Sequence, residues 1–489
     1  MRRAIIIGGG LGGLTASIYL AYAGWQVQLL EKNKTLGGKL QQVNAAGFHF
    51  DLGPSTITMK HIFEQVFQDT GRKAGDYLNF YPITPIGKNF FPDGSVVELT
   101  ADVEVMQEQI ASYSKADAKA YPAFLAESKR LFQMSEEAFL EKPLFLWEEK
   151  LQPQLLCDFA RIRPLQTFQS LLRRYFRHPN TRRLFGRYAT YIGSSPYQAP
   201  SIFAMLAFLE TGKGVYGITG GTYQLVEAFE KLAAELGVHI QKETDVTSIQ
   251  VNHGAVTGVT TTKGNYPCDT LIGNGDAISL YSGLVDASDR PHVSDTKLKK
   301  LEPSLSGFTM LLGVKKQYSQ LAHHNVFFPE DYQAEFSSIF KDKQYVKDPA
   351  LYICFSGADD PDLAPTGMSN LFVLANAPYL TGINQLQDKQ QYKRKLIQQL
   401  ETNGLTALSN EIIYEEVQTP KDLAVRTRAY RGAIYGMSSN SFEQAFFRIS
   451  NKDKHIKGLW FAGGSTHPGG GTPMVTLSGK MTAQAIIKG

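Results

Sequence analysis

The sequence predicts an α/β fold, α+β over the whole chain, built on a Rossmann-like dinucleotide-binding sheet. Three observations predict it. The apolar run Ala4 to Ile7 feeds the turn Gly8-Gly9-Gly10-Leu11-Gly12-Gly13. A helical pattern follows, with Leu14, Ile18 and Ala21 on one face. A second apolar run, Gln26 to Leu30, then closes on Glu31. A lone Gly-x-Gly-x-x-Gly is a weak signal. Strand, turn, helix, strand and acid in that order, with the acid about 20 residues beyond the turn, make the whole dinucleotide fingerprint.

Each part of this unit has a task. Gly8 permits the tight turn, Gly10 lets backbone approach a pyrophosphate, and Gly13 lets the helix pack closely on the strand. The helix N-terminus offers unpaired N–H groups and a partial positive charge to phosphate, and Gly24 ends the helix as a C-cap. Glu31 is expected to accept hydrogen bonds from an adenosine ribose and to repel a 2′-phosphate. Beyond it come Gly37-Gly38-Lys39, the strand-like Gly47 to Asp51, and Leu52-Gly53-Pro54-Ser55. An NAD domain has no need of that second glycine pair. FAD proteins of the glutathione-reductase type carry such an extension along the flavin side, so FAD is the expected cofactor. His49 alternates with apolar neighbours and reads as a strand face.

A second match, Gly212-x-Gly214-x-x-Gly217, follows the helix-like Ala204 to Leu209 and is fed by no strand, so it is rejected as a nucleotide site. Gly220-Gly221 instead opens an amphipathic helix carrying Leu225, Phe229, Leu232 and Leu236. The strand Val238 to Ile240, the segment Thr244-Asp245-Val246 and the strand Thr270 to Ile272 continue it. This block reads as the returning part of a discontinuous FAD domain, with Val246 backbone at the adenine edge. Near the C-terminus, Leu459 to Ala462 is another buried-strand candidate. Thr472 then reads as an N-cap and Pro473 as the first helical residue. A helix from Met474 to about Ile487 would aim its positive end at the preceding glycine-rich loop. Negative charge at a reduced flavin would be stabilised there by about 0.3–2 kcal/mol.

Composition narrows the function classes. A chain of 489 residues suggests two domains. A net charge of +4 gives no ground for nucleic-acid binding. Cys157, Cys268 and Cys354 are scattered, with no metal-ligand spacing, which suits a reducing cytoplasm and small buried hydrophobes. The apolar run at the N-terminus breaks at Gly8, short of a secretory segment. No stretch reaches 18 uninterrupted apolar residues, so membrane contact is expected to be peripheral.

Together these segments resemble the phytoene-desaturase type of carotenoid oxidoreductase, along essentially the whole chain. The resemblance rests on Gly8 to Lys39, Phe50 to Pro54, Tyr191 to Ser195, Gly220-Gly221, Arg431 to Gly436 and Thr466-His467-Pro468-Gly469-Gly470-Gly471-Thr472-Pro473. Ala322 to Asn325, Gly193 to Ser195 and Gly471 to Gly479 are most similar to the C30 branch, and there to diaponeurosporene oxygenases rather than diapophytoene desaturases. The resemblance implies an FAD domain of the glutathione-reductase/amine-oxidase type in three pieces (1–105, 215–290 and 430–489). An inserted substrate and membrane-facing domain (106–214 and 291–429) completes it. Expected cofactor contacts are Gly8, Gly10, Leu11 and Gly13 in the turn, and Glu31 and Lys32 after the second strand. Gly38, Lys39, Gly53, Pro54 and Ser55 follow along the flavin side, with Val246, Gly464, Thr472, Pro473 and Met474 completing the set. Gly463-Gly464 stand where many FAD enzymes place an Asp, so the ribityl contacts are left unassigned.

The implied substrate is an acyclic C30 carotenoid. Its passage through water would cost on the order of 20 kcal/mol, so it must be drawn from a bilayer into an apolar tunnel. Eight arginines between Arg161 and Arg187 (Arg161, Arg163, Arg173, Arg174, Arg177, Arg182, Arg183, Arg187) are interleaved with Leu165, Phe168, Leu171, Leu172, Tyr175 and Phe176, without Asp or Glu. That pattern suits an interfacial helix on anionic lipid at the inner face of the cell membrane, and equally a solvated helix with a buried face. Leu140 to Leu156 and Ser201 to Phe208 are tunnel-wall or core candidates. His323-His324 is read as a loop pair and no metal is expected: adjacent strand residues point apart, and no Cys or carboxylate completes a set.

The expected chemistry is oxidation of a terminal methyl group, with introduction of conjugated double bonds as the alternative. His467 is the first ionisable candidate at the ring, followed by Lys39 and Arg431. Two other classes share the fold. A flavin amine oxidase would act on polar substrates, and a prenyl-lipid escort like the Rab GDP-dissociation inhibitors would need no flavin. Glu31 and the Thr472-Pro473 helix start argue against the escort.

Overall fold

β1 (Arg3–Ile7) is the middle strand of a five-stranded parallel sheet. Across the sheet run Leu459–Phe461, Thr270–Gly273, β1, β2 (Gln26–Leu30) and His239–Gln241. Strands covered on both faces read as continuous apolar runs, and β1 shows why. Ala4 and Ile6 pack with α1 (Leu11–Tyr22), the helix Gln224–Glu235 and the terminal helix Thr472–Lys488. Ile5 and Ile7 pack on the other side with Val246, Ile249, Val259 and Ile278. The computed structural model describes residues 2–137, 165–382 and 388–489. Cys157, Arg161, Arg163 and Leu140 to Leu156 lie outside them.

The extension after Glu31 forms a hairpin, β3 (Gln41–Ala45) with β4 (Phe48–Leu52). Asp51 on β4 accepts hydrogen bonds from the backbone N–H groups of Thr222 (2.7 Å) and Tyr223 (3.1 Å), pinning the hairpin to the Gly220-Gly221 turn. Gly221 has φ +95°, and a Cβ there would lie 2.6 Å from His49 Nε2, so no side chain fits. Gly212 to Gly217 runs from the last turn of the helix Met205–Lys213 into the short strand Tyr216–Ile218, paired with Phe80–Pro82, so no strand feeds that turn.

A seven-stranded mixed sheet forms a second layer, in the order Ile412–Gln418, Ser306–Val314, Ser369–Ala377, Leu351–Phe355, His324–Phe327, Gly87–Phe90 and Val96–Leu99. Its last two strands belong to the stretch 1–105 that the resemblance assigned to the FAD-binding domain, yet they pair in this sheet. Val97 and Leu99 bury with Met106, Ile110 and Phe124, so that hairpin follows its apolar face into the neighbouring core.

The arginine-flanked helix follows one of the two readings its pattern allowed, and the C-terminal helix start is corrected. In the helix Phe168–Tyr175, the side chains of Phe168, Leu171 and Leu172, with Phe176 beyond, are at most 1% exposed and belong to the core. The amphipathic stripe serves packing here. Arg173, Arg174 and Arg177 are exposed, whereas Arg187 is buried. At the C-terminus the N-cap is Gly471, and Thr472 is already helical. The carbonyl of Gly471 accepts the Val475 N–H (3.0 Å) and that of Thr472 accepts Thr476 Oγ1 (3.0 Å), so the glycine turn starts the helix one residue early.

The terminal helix crosses α1 where Gly479 meets Gly12. A Cβ on Gly479 would lie 2.2 Å from the Gly12 carbonyl oxygen, whereas exposed Gly75 has nothing within 4 Å. We predict that Gly479→Ala lowers unfolding stability by about 1–3 kcal/mol through overpacking, while Gly75→Ala stays near wild type. Equal melting temperatures for the two variants would contradict this packing.

Candidate functional site

A cavity of about 870 Å³ opens at the carboxyl ends of β1 and β2, the expected ligand position in an open α/β sheet. Of the residues singled out from sequence, Gly8, Gly10, Leu11, Glu31 and Lys32 line it. So do Gly38, Lys39, Gly53, Pro54, Ser55, Val246, Gly464, His467, Thr472, Pro473 and Met474. Gly13 and Arg431 do not. Gly13 lies beneath the turn, where a Cβ would come 2.3 Å from the Gly8 carbonyl oxygen, so its task is close packing. Arg431 stacks on Tyr430 (5.2 Å) and Tyr379 (6.0 Å), and does not project into the cavity.

The turn is held from across the sheet. Asn274, just after the strand Thr270–Gly273, donates from Nδ2 to the carbonyls of Gly8 (3.0 Å) and Gly10 (3.2 Å). Glu31 is 4% exposed. Its Oε2 accepts the Gly9 N–H (2.8 Å), while Oε1 accepts the backbone N–H (2.9 Å) and side-chain amide (2.8 Å) of Asn33. Two helix N-termini face the same cavity. α1 begins at Gly10 and the terminal helix at Gly471, and neither has a side-chain cap or an acidic residue in its first turn. Their free N–H groups and dipoles suit anionic groups.

Three charged residues stand near the flavin-side loops, Asp276 buried and Lys39 and Arg448 half-buried. Lys39 Nζ donates to the carbonyls of Ala433 (3.0 Å) and Ile434 (2.5 Å). Burial pushes its pKa down to about 8, against the opposing pull of Asp276. Burial raises the Asp276 carboxyl; its Oδ1 caps the helix Ala277–Leu284 through the Ile278 N–H (3.1 Å), and Oδ2 is buried without a partner among the described residues. Burial also brings the Arg448 guanidinium down to about 10, and its Nη2 donates to Ser439 Oγ (2.9 Å).

The far end of the cavity is different in kind. Phe132, Ile202, Phe203, Met205, Leu206 and Leu209 form an apolar wall. From Ser201 to Phe208, the residues Ile202, Phe203, Met205 and Leu206 line the wall, whereas Leu140 to Leu156 lies outside the described residues. Set into that wall is a buried ion pair, Arg187 Nη2 to Glu210 Oε2 at 3.2 Å, with Arg187 Nη1 donating to the Tyr191 hydroxyl (2.8 Å) and the Tyr188 hydroxyl donating to Glu210 (2.7 Å).

Sequence reasoning missed the roles of Asn274, Asp276, Arg448 and this pair: Asn274 reaches a turn 266 positions away, and the others act through packing that no local pattern marks. Only the Gly273 to Asp276 strand end gave a local hint. It also misjudged His323-His324. The strand begins at His324, so alternation does not separate the rings, which lie 4.5 Å apart, and the register sets Cys354 opposite His324.

An uncapped glycine turn, a buried acid after β2 and a second helix end on one cavity define a flavin-dependent oxidoreductase of the dinucleotide-binding class. Residues 11–487 match the flavin-containing amine oxidoreductase family. A 4,4'-diapolycopene oxygenase from a Methylomonas species is 35% identical over 99% of this chain and 98% of its own. A 4,4'-diaponeurosporene oxygenase from Staphylococcus haemolyticus is 35% identical over 99% and 97%. The solved structure of a putrescine oxidase bound to putrescine shares the fold, with TM-score 0.66, 14% identity and coverage of 100% of this chain and 99% of that one. The chain belongs to the flavin-containing amine oxidoreductase family and is an FAD-dependent oxidoreductase. The residues present fit FAD: glycines where a Cβ would close the turn, two open helix ends for charged groups, and an orphaned Asp276 oxygen at the cavity.

Two outcomes test this site. Glu31→Ala strands the Gly9 N–H and the Asn33 amide, at about 1–3 kcal/mol. FAD binding to the stripped protein should weaken about 10- to 100-fold in a flavin fluorescence titration; unchanged affinity would remove Glu31 from the site. The second concerns Lys39. Between pH 8 and the ordinary lysine value of 10.5, the unfolded chain keeps a proton that the folded one has shed. FAD-free protein therefore gains stability from this group as pH rises through that window. Lys39→Met should abolish that increment in denaturant titrations at both pH extremes.

Proposed function

We propose that the protein oxidises the terminal methyl group of an acyclic C30 carotenoid, with dioxygen as the oxidant and oxygen source. The observation that carries this reading is the cavity itself, polar and glycine-lined at the dinucleotide end and walled by Phe132, Ile202, Phe203, Met205, Leu206 and Leu209 at the other. Relatives named as oxygenases of such carotenoids support it. In net terms R–CH3 + O2 gives R–CHO + H2O.

Bound FAD supplies two-electron redox chemistry next to the reacting carbon. The chain supplies the rest. Gly8, Gly10 and Leu11 would hold the pyrophosphate, with Gly13 making room beneath. Glu31, Lys32 and Val246 would flank the adenosine. Gly38, Lys39, Gly53, Pro54, Ser55, Gly464, Thr472, Pro473 and Met474 would hold the flavin side. The apolar wall takes up the polyene, where each buried CH₂-sized unit contributes roughly 0.8 kcal/mol, and keeps bulk water from the reacting end. His467 and Lys39 are the ionisable groups proposed at that end. His467 is fixed through its backbone, its N–H donating to Asn451 Oδ1 (3.1 Å) and its carbonyl accepting Ser478 Oγ (2.8 Å).

Delivery from a bilayer fits a peripheral enzyme at the inner face of the cell membrane. No helix among the described residues is long and apolar enough to cross a membrane. Exposed Arg173, Arg174 and Arg177, beside Leu165 at 90% exposure, form the proposed contact with anionic lipid. Replacing the three arginines by Gln should reduce co-sedimentation with anionic vesicles at low salt. Salt-insensitive failure of the unaltered protein to bind would sink the contact.

The reaction is tested by supplying 4,4'-diaponeurosporene and 4,4'-diapophytoene separately to FAD-loaded protein under isotopically labelled dioxygen. A labelled terminal aldehyde from the first is the expected product. New double bonds in the second, with the first untouched, would make the enzyme a desaturase. Activity surviving His467→Ala with FAD retained would remove His467 from catalysis.

A further inference from the structure

We propose that His323, His324 and Cys354 bind a divalent transition ion of the zinc class, at a site separate from the residues lining the flavin cavity. One ring nitrogen from each histidine and the Cys354 sulfur lie within 4.8 Å of one another, and all three residues are about nineteen-twentieths buried. The antiparallel register of His324–Phe327 with Leu351–Phe355 sets His324 opposite Cys354. The carbonyl of His323 accepts the Phe355 N–H (2.8 Å), anchoring the pair to the same strand.

The hydrogen bonding prepares the rings for an ion. His323 Nδ1 bonds Asp359 Oδ2 at 2.9 Å, and His324 Nδ1 bonds the Tyr352 hydroxyl at 2.8 Å. Occupying Nδ1 leaves Nε2 as the available ligand atom, and a carboxylate behind an imidazole is the usual outer support of a metal-bound histidine. His324 Nε2 is buried with no hydrogen-bond partner among the described residues. Such an orphan costs about 1–3 kcal/mol, which coordination would offset.

Donor chemistry selects the ion. Two imidazoles and a thiolate suit zinc-class metals, whereas calcium and magnesium demand oxygen ligands. Charge agrees too: the Cys354 thiolate and the Asp359 carboxylate together balance a dication in a site that water does not reach. Bonds of about 2.0–2.3 Å place tetrahedral donors roughly 3.5 Å apart, so the outermost donor moves inward by about 1 Å on binding. The ion braces two neighbouring strands and the Asp359 turn. It also reaches the cavity wall, since Tyr352 lies 2.7 Å from Ser55 Oγ.

The test uses FAD-loaded, full-length protein equilibrated with zinc chloride under reducing conditions, followed by metal analysis and zinc-edge X-ray absorption. The expected result is one zinc per chain with one sulfur and two imidazole nitrogens. Cys354→Ala should lose the sulfur shell, Asp359→Asn should weaken zinc affinity about 10- to 100-fold, and Cys268→Ala should change neither. Zinc without a sulfur neighbour, or no zinc retained, would overturn the site. Should Cys354→Ala fail to fold, the absorption spectrum of the unaltered protein decides alone.

Discussion

Asn274 holds two carbonyls of the glycine turn while Gly12 and Gly13 receive backbone from two other directions. Three stretches of main chain, drawn from the start, middle and end of the sequence, approach here too closely for any side chain to intervene. The strand β1, the direction of α1, the placement of the terminal helix and the mouth of the cavity all follow from this approach. Shifting one of the three would move both helix N-termini relative to each other. A ligand with charge at two separated points would then lose one of its anchors.

Polarity is distributed to match. At the turn, main-chain N–H groups and a few buried side chains supply the polar contacts; along the wall, apolar side chains leave dispersion and exclusion of water to act. The Arg187–Glu210 pair breaks that rule inside the wall. Ion pairs so deep rarely add stability, because desolvation offsets their attraction. Both residues line the cavity, so an occupant of the apolar end meets this dipole as well as apolar side chains.

How much of this was legible in the sequence depended on distance along the chain. β2 was placed residue for residue, and the helix after Gly221 nearly so, because turn chemistry and periodicity are local. The helix Phe168–Tyr175 was left open because a stripe of Phe and Leu looks the same whether it meets lipid or a core; only its neighbours Phe124 and Phe185 decide. Residues 87–99 joined the second sheet through pairing with His324–Phe327, over two hundred positions away. Strand pairing likewise hid the companions of His323 and His324, which an antiparallel register brings opposite them. Thr472 was misplaced by one residue, since a run of three glycines leaves the helix start without a side-chain marker.

The crossing of α1 with the terminal helix has a bearing on biosynthesis. α1 leaves the ribosome long before the helix that covers it near Gly12 is made. Until then, Leu14 and Ile18 must wait without their final cover, the condition in which growing chains meet chaperones. A chain halted before Gly463 would lack the glycine loop and helix start that line the flavin site. Acquisition of the yellow cofactor is therefore a built-in report that synthesis has passed that loop.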